Sequence, residues 1–302
     1  MDKETKGTLL AFATALISGI AIPVNKLFVL NMDPTLFTAA RGLIVGMVFL
    51  VIAWRTGKLN KQVAKGYKSI YFLFIGLLGG GLAFLFYFHG LQLTTASHGA
   101  FLHKTLPLFT TILAIIFLKE KVRSKQLLAL GLMFLGIFSI YFSGIRPTSL
   151  WSDPSLGDLL IIFATILWAI ENVISKKVMV KGESNFIVSA ARMLIGSLLL
   201  FWILVFSQTL DALFVLSFNQ VLSLLVSTGI LFGYVYCWYY SIKLINVSKA
   251  AAILLLSPVI SMILGIVIFK EPAPMNQLMG SIAILFGAYL ISKVKSEFVE
   301  GM

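Results

Sequence analysis

Ten transmembrane helices in an all-α integral membrane protein, arranged as two inverted five-helix repeats, are the architecture this sequence predicts. Three observations lead there: ten apolar stretches long enough to cross a bilayer, a one-sided distribution of lysine and arginine, and an internal repeat at a constant offset of 151 residues.

Composition comes first. Of 302 residues 59% are hydrophobic and 12% charged, too little polar surface to cover a water-soluble fold of this size. The formal net charge of +12 does not mark a nucleic-acid binder, because the cations lie between apolar runs instead of forming one basic face. The single cysteine, Cys237, forms no internal disulfide and no thiolate metal cluster, and reads as an apolar filler. The apolar stretch after Lys6 lacks a small-residue cleavage site, so it is expected to be a first span that is kept.

Crossing the hydrocarbon takes roughly 20 apolar residues in a helix, since each residue rises about 1.5 Å and lipid offers no partner to unpaired backbone groups. The stretches that satisfy this are Gly7 to Leu30, Thr35 to Trp54, Ser69 to Gln92, Ser97 to Leu118, Gln126 to Gly144, Gly157 to Val180, Phe186 to Ser207, Phe218 to Lys243, Lys249 to Phe269 and Met275 to Lys293. Connections as short as Leu93 to Ala96 and Lys270 to Pro274 force antiparallel neighbours.

With the N-terminus placed in the cytoplasm, eighteen lysines and arginines fall on that side, among them Lys3, Lys6, Arg55, the Lys119 to Lys125 cluster, Lys176, Lys177, Lys243, Lys249 and Lys293. Only Lys26, Arg146 and Lys270 fall on the other. This bias predicts a multi-pass protein of the cytoplasmic membrane with both termini inside.

The repeat rests on residues that apolar composition does not supply by chance. Phe12-Ala13-Thr14 recurs as Phe163-Ala164-Thr165, Lys26 as Lys177, and Ala39-Ala40-Arg41 as Ala190-Ala191-Arg192. Further along, Pro107 matches Pro258, Lys119-Glu120 matches Lys270-Glu271, Gln126-Leu127 matches Gln277-Leu278, and Gly136 matches Gly287. The two halves are therefore 1–150 and 151–302. Each holds five spans, an odd number, so the second enters the membrane from the opposite side. Halves related in this way exchange conformations and expose one central site to each side in turn, the build of a carrier.

These features, five plus five helices with a Pro-bearing fourth helix running into Lys-Glu and a Gly-containing helix after it, resemble the EamA-type drug/metabolite transporter superfamily. The resemblance covers essentially the whole chain. It implies a central cavity lined mainly by spans one, three, four, six, eight and nine, with spans five and ten as scaffold and dimer contact. It also implies a small-molecule cargo, amino acids being the favoured class, although members of such a fold carry many cargoes.

Ionisable groups inside spans are costly and so informative. Arg41 and Arg192 sit at equivalent repeat positions near helix starts, where the structural reading is that they fix the ends of the two halves. Lys104 and Glu171 are not duplicated, Leu255 and Ile20 holding the matching positions, which directs them toward cargo. In the run Trp168-Ala-Ile-Glu-Asn, Glu171 with Asn172 reads as a proton-exchanging group, as a partner for a substrate ammonium, or as an ion-pair partner of Lys104. Lys104 equally suits a carboxylate or phosphate.

His89, Tyr87, Trp168, Tyr234 and Trp238 complete the candidate substrate-binding set. Tyr234 and Trp238 share one helix face at i and i+4, suited to stacking cargo or to ordinary packing, while Tyr239 and Tyr240 read as interfacial belt residues. Pro23, Gly80 within Gly79-Gly80-Gly81, Pro107 and Pro258 are candidate hinges, because breaks are tolerated in a bilayer where neighbours or cavity water satisfy the freed carbonyls. His98 and His103 lie roughly 140° apart on a helix, unsuited to joint ligation, and no metal or other cofactor is expected. There is no HExxH, no GxSxG and no phosphate-cradling GxxxxGK[ST], so neither an enzyme nor an ATP-driven pump is expected. The competing class is a non-transporting receptor or scaffold on the same fold.

Overall fold

The computed structural model describes residues 1–29, 32–59, 69–94, 96–141, 155–270 and 274–296; all regular structure among them is helical. The first repeat contains α1 (Lys3–Val29), α2 (Pro34–Arg55), a third span, a broken fourth span and α6 (Ser124–Tyr141). The third span, α3, begins as Ser69–Phe74, passes through a π-helix over Ile75–Leu82 and resumes as α-helix over Ala83–Leu93. The fourth consists of α4 (Ala96–His103) and α5 (Leu106–Leu118). The second repeat contains α7 (Leu156–Val180), α8 (Asn185–Phe206), α9 (Phe218–Leu244), a ninth span broken into α10 (Val247–Ile253) and α11 (Ser257–Phe269), and α12 (Met275–Ser292). By length and hydropathy nine of the described helical stretches suffice to cross a membrane, and α1, 27 residues long and packed between α9 and α11, is the tenth helix of the bundle.

Local structure repeats with the sequence. The bounds of α2, α5 and α6 reappear 151 residues later as those of α8, α11 and α12. Asp33 and Ser184, also 151 apart, are both N-caps: Asp33 accepts from the Leu36 N–H at 2.8 Å and Ser184 from that of Phe186 at 3.3 Å. Such a cap satisfies a donor that the first helical turn leaves orphaned. Lys119 and Lys270 end α5 and α11 in the left-handed region, with φ of 52° and 51°, their N–H groups reaching the carbonyls of Ala114 and Gly265. A lysine in that conformation costs roughly 1–2 kcal/mol, so adopting it at both repeat positions marks a shared turn geometry. Glu271, the mate of Glu120, and the 150/151 boundary lie outside the described residues.

The repeats interlock, since α6 packs on α12, α2 on α8, α1 on α9 and α3 on α7. Glycine sets the closest of these approaches. Gly80 of α3 and Gly196 of α8 meet backbone to backbone: a Cβ on Gly80 would stand 2.0 Å from the Arg192 carbonyl oxygen.

Two expectations about helix breaks are corrected. Position 23 does not interrupt α1, which stays helical through Val29; its side chain lies outside the described residues. The triple glycine does not merely loosen the third span. It lies within a π-helix, whose i→i+5 bonding carries the Ala83 N–H to the Leu78 carbonyl, and the Gly79 carbonyl there accepts from side chains of α7 and α8. The fourth and ninth spans do break, at Lys104 and Thr105 and at a 3₁₀ turn over Leu254–Leu256, with Pro107 and Pro258 each in the first turn of the helix that follows. Proline fits there because its missing N–H would find no partner in a first turn.

Candidate functional site

A cavity of about 270 Å³ lies at the centre of the bundle. Its lining comes from all spans except the fifth and tenth, so the second and seventh, which the resemblance left out, belong to the wall. Many lining residues fall into pairs 151 apart: Ala21 and Asn172, Arg41 and Arg192, Gly42 and Met193, Gly80 and Leu231, Tyr87 and Trp238, His103 and Leu254, Lys104 and Leu255, Leu106 and Ser257. The cavity therefore straddles the axis relating the repeats, and the two helix breaks open into it.

The second and seventh spans bring the two arginines. Arg41, 8% exposed, donates to Ser227 Oγ at 2.7 Å and through Nε to the Phe37 carbonyl at 3.2 Å, and its guanidinium lies 4.0 Å over the Phe37 ring. Asn25 Oδ1 accepts from Ser227 at 2.6 Å and from Arg41 at 3.5 Å. Arg192 faces Glu171 at 3.7 Å and donates to the Gly79 carbonyl at 3.5 Å. Both arginines line the cavity.

Glu171 is fully buried behind the wall and is not a lining residue. Its Oε1 accepts from Ser175 Oγ and from Tyr239 Oη, each at 2.6 Å, while Oε2 faces Arg192. The ion pair weighed for it is thus with Arg192; Lys104 donates elsewhere, to Ser257 Oγ at 2.9 Å. Tyr239, fully buried, is no interfacial belt residue. Among the described lining residues Arg192 is the one that faces the Glu171 carboxylate, an arrangement in which Glu171 offsets the Arg192 charge.

Of the other sequence candidates, Lys104, Asn172, Tyr87, Trp168, Tyr234, Trp238, Gly80 and Pro107 line the cavity. Pro258 is buried outside the lining, and His89 is exposed at the end of α3. An aromatic wall gathers around Trp168, with Phe84, Tyr87 and His103 ring centroids 5.2, 5.4 and 5.1 Å from it. Trp168 is held by its Nε1–H donating to the Gly79 carbonyl of the π-helix at 3.0 Å. Asn172 Oδ1 accepts from Trp238 Nε1 at 3.0 Å. Asn25, Ser227 and Ser257 were not singled out from sequence, and His103 was weighed only as a metal ligand; only their proximity to a helix break or an arginine would have indicated them.

Beyond one end of the cavity the helices are closely packed. Ser18, Ala21 and Asn25 line it from the second half of α1, whereas Gly7, Ala11 and Ala15 of the first half are buried in packing. Around that half, Glu120 accepts from the N–H groups of Val247 and Ser248 at 2.8 and 3.2 Å and from Ser248 Oγ at 2.6 Å, fastening the start of α10. Burial pushes the Glu120 carboxyl above the usual range, outweighing these bonds and nearby Lys176. Lys249, 1% exposed, donates to Glu4 at 2.7 Å and the Val294 carbonyl at 2.6 Å, and Lys176 donates to the Ile245 carbonyl at 2.8 Å. The N-terminus, the start of α10 and the end of α12 are thereby joined in one polar latch.

A two-repeat helical membrane protein with a mixed polar and aromatic chamber on its symmetry axis has the build of a transporter. The chain belongs to the EamA-like transporter family, whose model matches residues 5–142 and 155–293. Two uncharacterized transporters of Bacillus subtilis are similar to it: YyaM, 27% identical over 95% of this chain and 92% of its own, and YoaV, 27% identical over 92% and 94%. An uncharacterized transporter of Archaeoglobus fulgidus is 26% identical over 90% of this chain and 94% of its own. A solved crystal structure 18% identical in sequence shares the fold, with a TM-score of 0.77 over 95% of this chain and 98% of that one. The protein is a multi-pass membrane transporter.

Proposed function

We propose that this transporter is a gradient-driven secondary carrier that moves a small metabolite across the cytoplasmic membrane by alternating access, with both termini in the cytoplasm. The observation that carries this reading is the cavity lined by matched positions of both repeats, with the polar latch beyond its N-terminal end. Interconversion would part α10 from Glu120 and Lys249 from Glu4, opening that end while the equivalent elements of the other repeat close. The breaks at Lys104 and Leu254–Leu256 are where α4 and α10 turn relative to α5 and α11, and the excess of lysine and arginine beside the latch supports its cytoplasmic placement. An amino-acid cargo, favoured by the resemblance, would meet a cation for its carboxylate in Lys104. Its ammonium would meet no carboxylate among the described lining residues.

The test is efflux from loaded liposomes. Purified protein in liposomes loaded with a metabolite extract is diluted into extract-free buffer, and the interior is assayed by mass spectrometry over time. Protein-dependent loss of particular compounds, abolished by a disulfide introduced between α10 and the start of α1, supports the carrier. Retention of every compound by folded protein supports the receptor or scaffold reading instead.

A further inference from the structure

The charge of the cavity restricts what it holds. Its described lining contains three cations, Arg41, Lys104 and Arg192, and no carboxylate. Glu171 stands behind the wall and neutralises Arg192. Among the described residues Arg41 and Lys104, each 8% exposed, have no ion-pair partner: there Arg41 meets neutral oxygens and the Phe37 ring, and the Lys104 ammonium spends one of its three donors, on Ser257. Two buried cations left uncompensated cost several kcal/mol each within a bilayer, a cost a bound anion removes.

The neutral acceptors give the same sign. Asn25 Oδ1 already accepts from Ser227 and Arg41, and Asn172 Oδ1 from Trp238. Their amide N–H groups remain as further donors, so the polar side of the chamber offers donors and cations to its contents. The same chamber is lined by the aromatic wall around Trp168. The volume of about 270 Å³ is nearly twice that of a cavity of about 150 Å³ known to take benzene, room enough for one ring with a charged substituent.

We infer that the cavity binds a small organic anion, a carboxylate or phosphate on an apolar, ring-sized body, with the anionic group between Lys104 and Arg41 and the body against Trp168, Tyr87 and Phe84. This deepens the carrier reading by naming the cargo class. It places amino acids behind simple acids, since a zwitterion brings an ammonium that Lys104 and Arg41 repel.

Binding to purified protein in neutral detergent decides it, followed by tryptophan quenching and thermal shift. The probes share one ring and differ in charge: phenylacetate, phenyl phosphate, phenylacetamide and phenethylamine. At least one anion is expected to bind about tenfold or more tightly than the amide, and the amine not at all; Lys104→Met weakens the anion about tenfold or more while leaving the amide unchanged, and Lys104→Arg retains the preference. Lys104→Met exchanges a buried cation for an apolar chain of similar length, so it folds. Amide or amine binding as tightly as both anions overturns the inference, as does an unchanged anion affinity in Lys104→Met. So does the failure of both anions to bind at about 10 mM. The relative strength of the two anions separates carboxylate from phosphate cargo. Transport is judged separately: an anion that binds but shows no protein-dependent flux in liposomes refutes the carrier and leaves the binding assignment intact.

Discussion

Gly80→Ala is the most direct test of how the repeats are held together. The added Cβ meets the Arg192 carbonyl oxygen at 2.0 Å, and the Arg192 carbonyl carbon and Gly196 Cα at 3.0 Å. All three are backbone atoms, which have no rotamer to yield. Restoring an ordinary 3.4 Å contact requires α3 and α8 to separate by roughly 1.4 Å (3.4 minus 2.0). Overpacking of this kind typically costs about 1–3 kcal/mol, from which alanine's better helix propensity recovers at most about 1 kcal/mol. The expected net loss is about 1–2 kcal/mol, read as a lower midpoint of thermal or denaturant unfolding in mixed micelles, followed by tryptophan fluorescence. Gly131→Ala on α6 is the control: no atom lies within 4 Å of its Cβ, so propensity acts alone and stability rises or stays level. Equal midpoints for Gly80→Ala and the wild type, with Gly131→Ala behaving as stated, would refute the close crossing and with it the placement of Arg192 in the wall.

Glu171→Gln strands Arg192 without its counter-charge in a buried site and should cost about 3–5 kcal/mol, seen as loss of folded protein on size-exclusion chromatography; Glu171→Gln with Arg192→Met restores it, and a single variant as stable as wild type excludes the pair. Trp168→Phe removes the donor to the Gly79 carbonyl and should lower stability by about 1 kcal/mol in the same micelle assay, an unchanged midpoint meaning that Arg192 alone satisfies that carbonyl. For Glu120 the sign follows from burial: its carboxyl is raised in the folded protein, so the fold holds that proton more tightly than the unfolded chain does. The wild type should therefore lose stability relative to Glu120→Gln as pH rises from the ordinary carboxylate range, about 4.3, through the raised folded value, whereas a constant difference between pH 4 and 8 would contradict the burial.

Much of the fold was legible because membranes impose few solutions. Backbone groups in lipid must pair within a helix, so ten apolar stretches already define ten helices, and the offset of 151 predicted equivalences as fine as the matched left-handed lysines. The hinges were less legible. Proline marks a missing donor, but it does not say whether the helix bends, breaks or continues: the helix runs on past position 23, whereas the spans at 107 and 258 break. The π-helix carried no signal beyond three glycines, and its consequence, a carbonyl shared by Trp168 and Arg192, depends on α7 and α8 packing against it. Rotational setting explains the rest. Glu171 and Asn172 are neighbours in sequence, yet one faces Arg192 behind the wall and the other lines the cavity, a difference that linear spacing does not contain.

Duplication of a residue does not duplicate its surroundings. Arg41 and Arg192 occupy equivalent positions, and a charge required by both halves looks like part of the frame. Their surroundings differ, because Glu171 has no counterpart: position 20 is isoleucine, so only one arginine is neutralised. The same asymmetry repeats along the wall, where Lys104 faces the axis opposite Leu255, Asn172 opposite Ala21, and Ser257 opposite Leu106. A scaffold that must open to both sides needs symmetric helices, hinges and glycine crossings, and these the two halves share. A cargo with a charged end and an apolar end needs a chamber that is not symmetric. On the proposed reading, the residues that break the 151-residue correspondence within the cavity wall are where cargo preference is encoded, and exchanging the polar members of these pairs between repeats should reorient or abolish binding while leaving the frame folded.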